Sequence, residues 1–163
     1  MNLSSKKRIT FVCLGNIVRS PLAEALFTHL AEEQGMVDKY EVDSAGIGPW
    51  HVGESPDQRM RRVAARHGLS YNGRGRQIQR GDLQRSDLII AMDTQNYDEL
   101  VRLAQDDRQR QKIHLLREFD PSGGPRAVVP DPYYGGIDGF EHTYQVIERS
   151  CRGLLQALSD GIL

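Results

Sequence analysis

Cys13 is followed after five residues by Arg19, Ser20 and Pro21, in the run Cys13-Leu14-Gly15-Asn16-Ile17-Val18-Arg19-Ser20. A thiol and a guanidinium at that spacing can share one small anion if the backbone between them turns its N–H groups inward. Gly15 reaches conformations closed to other residues and asparagine visits the left-handed region readily, so the loop suits an anion nest. A helix opening at Ser20-Pro21 adds free amides and the positive end of its dipole. Such a site acidifies the thiol, and the thiolate is the nucleophile. Arg19 offers a planar fork for two phosphoryl oxygens and opposes the charge that grows on them in the transition state. Ser20 can donate its hydroxyl to the sulfur and help it leave when a covalent intermediate breaks down. Leu14, Gly15, Asn16, Ile17, Val18 and Ser20 then form the phosphate-binding set around Cys13 and Arg19, and the chemistry is phosphoryl transfer through a cysteinyl-phosphate. A lone Cys at a strand end is commonly a small buried hydrophobe; the combination carries the reading.

Expelling a phenolate, whose parent phenol has a pKa of about 10, calls for a proton donor. Val129-Pro130-Asp131-Pro132-Tyr133-Tyr134-Gly135-Gly136 offers Asp131 between two prolines that restrict the backbone. Asp-Pro also starts turns, so spacing alone leaves both roles open. Tyr133 and Tyr134 beside it, and Trp50 in a glycine-bounded loop, are candidate walls for an aryl substrate. An unconnected surface or core role for Trp50 stays open.

These residues need elements to hold them. Ile9 to Cys13 reads as a strand, and Pro21 with Leu22, Ala25, Leu26 and Leu30 as a helix ending near Gly35. Tyr40 to Asp43 is a second strand. Ser55-Pro56-Asp57-Gln58 predicts a helix capped by Ser55 with Pro56 at its first position, running through Met60, Val63, Ala64 and His67 to a stop at Gly68. The stretch from Asn72 to Gly81 reads as an exposed connection, and the arginines between Arg74 and Arg85 as a solvated surface or as a patch that steers an acidic phosphoprotein to the site. Leu88 to Met92 is a continuous apolar run suited to a parallel strand covered on both faces. Thr94 is expected to cap a helix burying Tyr97, Leu100, Val101 and Ala104. Ile113 to Leu116 is a weaker fourth strand, and Phe140, Tyr144, Ile147, Cys151, Leu154, Leu155 and Leu158 form the strongest helical stripe. The alternation predicts an α/β three-layer sandwich, with a parallel sheet and helices on both faces. Ligands bind at the carboxyl ends of such strands, where the Cys13 loop lies.

At 163 residues the chain is expected to be a single domain over 1–163. A formal net charge of −1 gives no overall basic field for nucleic acid or an anionic membrane. The apolar run after Met1 to Lys7 is too short for a signal segment or a membrane span, and two cysteines without a CxxC pair suit a reducing compartment. A cytoplasmic location is the expectation. No Gly-Lys-Ser or Gly-Lys-Thr occurs, which excludes a Walker A nucleotide site. The five histidines show no metal-binding spacing, so neither metal nor cofactor is expected.

The segments FVCLGNIVRSPLAEA at Phe11 to Ala25, VDSAG at Val42 to Gly46, RHGL with the later RQI, AMD at Ala91 to Asp93 and PDPYYGG at Pro130 to Gly136 resemble the low-molecular-weight protein tyrosine phosphatase family over nearly the whole chain. The resemblance implies a four-stranded parallel sheet, nucleophile Cys13, phosphate-binding Arg19, loop support from Asn16, Ser20 and Ser44, and general acid Asp131. It implies metal-independent hydrolysis of phosphotyrosine and small aryl phosphates in a monomer or weak dimer, with tyrosine-phosphorylated proteins, a tyrosine kinase among them, as partners. Ile17 resembles the tyrosine phosphatases, where related arginine phosphatases carry threonine. Two positions depart from the pattern. Val18 stands where most members carry a second cysteine, and Gly73 stands where many have a histidine bonded to the loop asparagine, so another group must hold Asn16. Two other readings compete. An arsenate reductase needs further cysteines nearby, and Cys151 lies mid-stripe in the last helix. A phosphoprotein-binding module would keep the nest without turnover.

Overall fold

The computed structural model describes residues 6–163; the first five residues, part of the Met1 to Lys7 reading, lie outside the described residues. Four strands, β1 (Lys7–Cys13), β2 (Tyr40–Gly46), β3 (Leu88–Ala91) and β4 (Ile113–Leu115), form one sheet in the order β2-β1-β3-β4. All three pairings are parallel.

Alternation along β1 divides the core. Ile9, Phe11 and Cys13 enter one apolar cluster with α1 (Arg19–Glu33), α2 (Gln58–Arg66) and the long α6 (Ile137–Ser159). Val12 points to the opposite face, joining Ile89 and Ala91 of β3 with Leu83 of α3 (Arg80–Arg85) and Leu100 of α4 (Thr94–Leu103). Helices therefore cover both faces, and the three-layer α/β sandwich read from the sequence is the fold. A short α5 (Asp107–Arg110) precedes β4. After β2 the chain crosses to the far side of β1, so the loop following β1 sits where strand order reverses, the usual ligand edge of such sheets. No helix among the described residues is long and apolar enough to cross a membrane.

Four local readings are corrected. α2 is capped by Asp57, not Ser55: the Asp57 carboxylate accepts from the amides of Arg59 and Met60, which places Pro56 outside the helix. Asp93, not Thr94, caps α4 by accepting from the Asn96 amide, and a carboxylate is the stronger acceptor there. Of the side expected to be buried in α4, Leu100 and Ala104 are buried while Tyr97 and Val101 are only partly covered. The stretch from Asn72 to Gly81 is no simple exposed connection. It lies along the sheet edge, with the Ile78 amide donating to Gly46 and the Gly46 amide to Arg76, and Ile78 is buried.

Candidate active site

The loop after β1 leads directly into α1, so Cys13 ends a strand and Arg19 begins a helix. Asn16 has φ 54, in the left-handed region that asparagine tolerates. Its side chain fixes that turn from behind: Nδ2 donates to Ser20 Oγ at 2.9 Å and to Ser44 Oγ at 3.0 Å, while Oδ1 accepts the Arg76 amide at 2.9 Å. The Arg76 amide thus anchors Asn16 in a chain whose Gly73 has no side chain to offer. Arg76 is itself pinned by ion pairs to Asp43 at 2.7 Å and Asp82 at 3.0 Å, which corrects the reading of this arginine as solvated surface. The Ser44 hydroxyl donates to Glu24 Oε1 at 2.7 Å, and burial pushes that carboxyl up against the pull of this hydrogen bond.

Gly46 is obligatory here, since a Cβ on it would stand 2.8 Å from the Gly15 carbonyl carbon and 2.9 Å from the Asn16 nitrogen. The amides of residues 15–18 donate to no acceptor among the described residues, and with the start of α1 they supply the donors of an anion nest. Cys13 Sγ lies 3.0 Å from Ser20 Oγ.

Arg19 is buried, and its Nη1 donates to Asp93 Oδ2 at 2.8 Å and to the Val129 carbonyl at 3.0 Å. These contacts hold one edge of the guanidinium and set its orientation. Nη2 lies 3.6 Å from Asp131 Oδ2. The Asp131 side chain remains 41% exposed, so it can reach the cavity, and its Oδ1 accepts the Tyr133 amide at 3.1 Å. Asp131 thus both closes a turn and faces the cavity that holds Cys13 and Arg19.

Cys13, Arg19 and Asp131 line a single cavity of about 420 Å³ with Leu14, Gly15, Ile17 and Val18. Trp50, Tyr133 and Tyr134 complete its walls. The Trp50 ring lies directly over Gly48, where a Cβ would meet Cζ3 at 1.9 Å. Asn16, Ser20 and Ser44 are buried behind the loop as supports, outside the cavity lining.

A family model described as low molecular weight phosphotyrosine protein phosphatase matches residues 8–161. The chain belongs to that family. A low molecular weight protein-tyrosine-phosphatase of Streptomyces coelicolor is 44% identical, with 95% of each chain covered. The low molecular weight phosphotyrosine protein phosphatase of Sus scrofa is 40% identical over 92% of this chain and 94% of its own. Among solved structures, a protein tyrosine phosphatase from Entamoeba histolytica superposes with TM-score 0.92 at 37% identity, covering 97% of this chain and 100% of that one.

Within this family member, two site residues escaped the sequence reading. His51 lines the cavity with Nδ1 3.1 Å from Glu54 Oε1, and its ring packs on Gly15. Its signal was its place next to Trp50 in the same loop. Asp93, the anchor of Arg19, was visible only as the last residue of the AMD segment. Cys151 is fully buried at the centre of the α6 stripe, and burial pushes its thiol up, as expected of a core cysteine.

Proposed function

We propose that this protein, acting as one domain, hydrolyses phosphotyrosine in proteins and small aryl phosphates without a metal ion. The observation that carries the reading is the convergence of a thiol, a clamped guanidinium and a carboxyl on one cavity that the loop after β1 also lines. Cys13 Sγ attacks phosphorus, the P–O bond to the aryl group breaks, and Asp131 gives its proton to the departing oxygen. Water then attacks phosphorus, its proton passes to the Asp131 carboxylate, and the P–S bond breaks while the Ser20 hydroxyl supports the leaving sulfur. Arg19 and the loop amides hold the equatorial oxygens through both steps.

The walls favour a planar aryl group over an alkyl one, because Trp50, Tyr133 and the apolar Ile17 flank the entrance. Tyrosine-phosphorylated proteins in the cytoplasm, a tyrosine kinase among them, are the partners this reading assigns. The test is phosphate release from p-nitrophenyl phosphate in excess chelator. Cys13→Ser is expected to be inactive. Asp131→Asn is expected to lose the alkaline limb of the pH-rate profile, because a general acid must be protonated and the intact protein loses that proton as pH rises. Activity retained by Cys13→Ser, or abolished by the chelator, contradicts the mechanism.

A further inference from the structure

Asp131 must keep its aim at the cavity above Cys13, yet the two loops come from opposite ends of the chain. A continuous path joins them. The Ile17 carbonyl of the nucleophile loop accepts the Asp57 amide at 2.8 Å. The Asp57 carboxylate, well covered, holds Arg59 through Nε at 3.2 Å and Nη2 at 2.8 Å. Arg59 Nη1 donates to the Tyr133 carbonyl at 2.9 Å, and the Tyr133 amide donates to Asp131 Oδ1 at 3.1 Å. The guanidinium also lies over two rings, 4.5 Å from the centroid of Phe140 and 5.2 Å from that of Tyr133. Phe140 is buried in α6, so the arginine is pressed between a fixed ring and the acid loop.

We propose that Arg59 is a positioning residue that aims Asp131, by tying the loop of the general acid to the loop of the nucleophile through Asp57. The inference rests on the reading of Asp131 as the proton donor. Arg59 touches no reacting atom. Its planar fork makes three simultaneous contacts in fixed directions, which a lysine ammonium on a flexible stem cannot reproduce. A small displacement of a catalytic group costs rate even when the fold is intact.

Leaving-group dependence separates aiming from plain structural support. Phenyl phosphate expels a phenolate whose parent acid has a pKa of about 10, so its cleavage needs the proton. Dinitrophenyl phosphate expels a stable anion that leaves without one. With kcat/KM measured on both substrates, Arg59→Gln is expected to lose about tenfold on phenyl phosphate and less than about threefold on dinitrophenyl phosphate. Arg59→Lys should fall between Arg59→Gln and the intact protein, and its ratio decides the matter should Arg59→Gln not fold. Equal losses on both substrates, or no loss on either, overturn the proposal. Asp131→Asn should show the same selectivity more strongly; its absence there overturns the acid assignment instead.

Discussion

Asn16 sits in the left-handed region without the conformational freedom of glycine, and three hydrogen bonds to Ser20, Ser44 and the Arg76 amide keep it there. Asn16→Ala removes all three and is expected to lower kcat/KM on aryl phosphates by about tenfold or more while the melting temperature changes little, because the strain resides in the loop. An unchanged rate would show that the nest forms without this brace. Val18 is buried against the site and offers no thiol, so an oxidised Cys13 has no adjacent sulfur with which to form a reversible disulfide. Peroxide should inactivate the intact protein less reversibly than Val18→Cys; equal recovery of both with added thiol would count against this. At this scale the meeting of Cys13 and Arg19 at one cavity was legible from an unusual pair of residue types at fixed spacing, whereas spacing alone left Asp131 open and the structure adds its place on the same cavity. His51, Asp93 and Arg59 were not, since each alone is an ordinary loop histidine, strand-end acid or helix arginine, and only three-dimensional proximity gives them a role.

The elements that hold the site depend on close approaches that the sequence states weakly. Gly153 of α6 faces the 3₁₀ turn Leu116–Phe119 so tightly that a Cβ would stand 1.8 Å from the Phe119 carbonyl oxygen. Gly153→Ala is expected to force α6 away and to cost about 1–3 kcal/mol, read from denaturant unfolding. A stability equal to that of the parent would mean that the two elements are not in register as described. The strands and the long helices were legible from β-branched runs and from the α6 stripe, whose periodicity reflects burial over the whole length of the element. Helix starts were less so: Ser55, Asp57, Asp93 and Thr94 all have capping side chains, and the choice between neighbours depends on which one the backbone turns toward the free amides. The segment leading into α3 was misread because Ile78 is buried against the sheet edge and Arg76 is half-buried, while the polar residues around them stay exposed. Arg76 spends its charge on Asp43 and Asp82, and nothing in a run rich in glycine and arginine marks that.

Two apolar clusters are divided by one sheet, and the alternation of strands and helices that builds such a sheet was visible in the chain. What the pattern could not show is how the last third closes over the site. Asp120 does part of this, buried between Arg117 at 3.0 Å and Arg149 of α6 at 2.7 Å. Burial pushes its carboxyl up, but the hydrogen bonds from Arg149, the Ser122 amide and Arg117 outweigh it and bring the value down from an ordinary 3.8 to about 2. A depressed carboxyl stabilises the fold above its unfolded value and ceases to do so as pH falls through its folded value, so this contribution disappears between about pH 4 and pH 2. Glu24, raised by burial, acts in the opposite sense: its contribution is present below its ordinary 4.5 and fades as pH rises above it. Asp120→Asn is expected to be less stable at neutral pH and to show a flatter decline in stability below pH 4; a decline as steep as in the parent would remove Asp120 from this role. In the proposed mechanism the sulfur of Cys13 is the atom that receives phosphorus. Acid quenching during turnover of an aryl phosphate in excess chelator, followed by mass mapping of peptides, tests this directly. A phosphoryl group is expected on the peptide bearing Cys13 and not in Cys13→Ser; steady phosphate release with that peptide unmodified throughout would rule out Cys13 as the nucleophile.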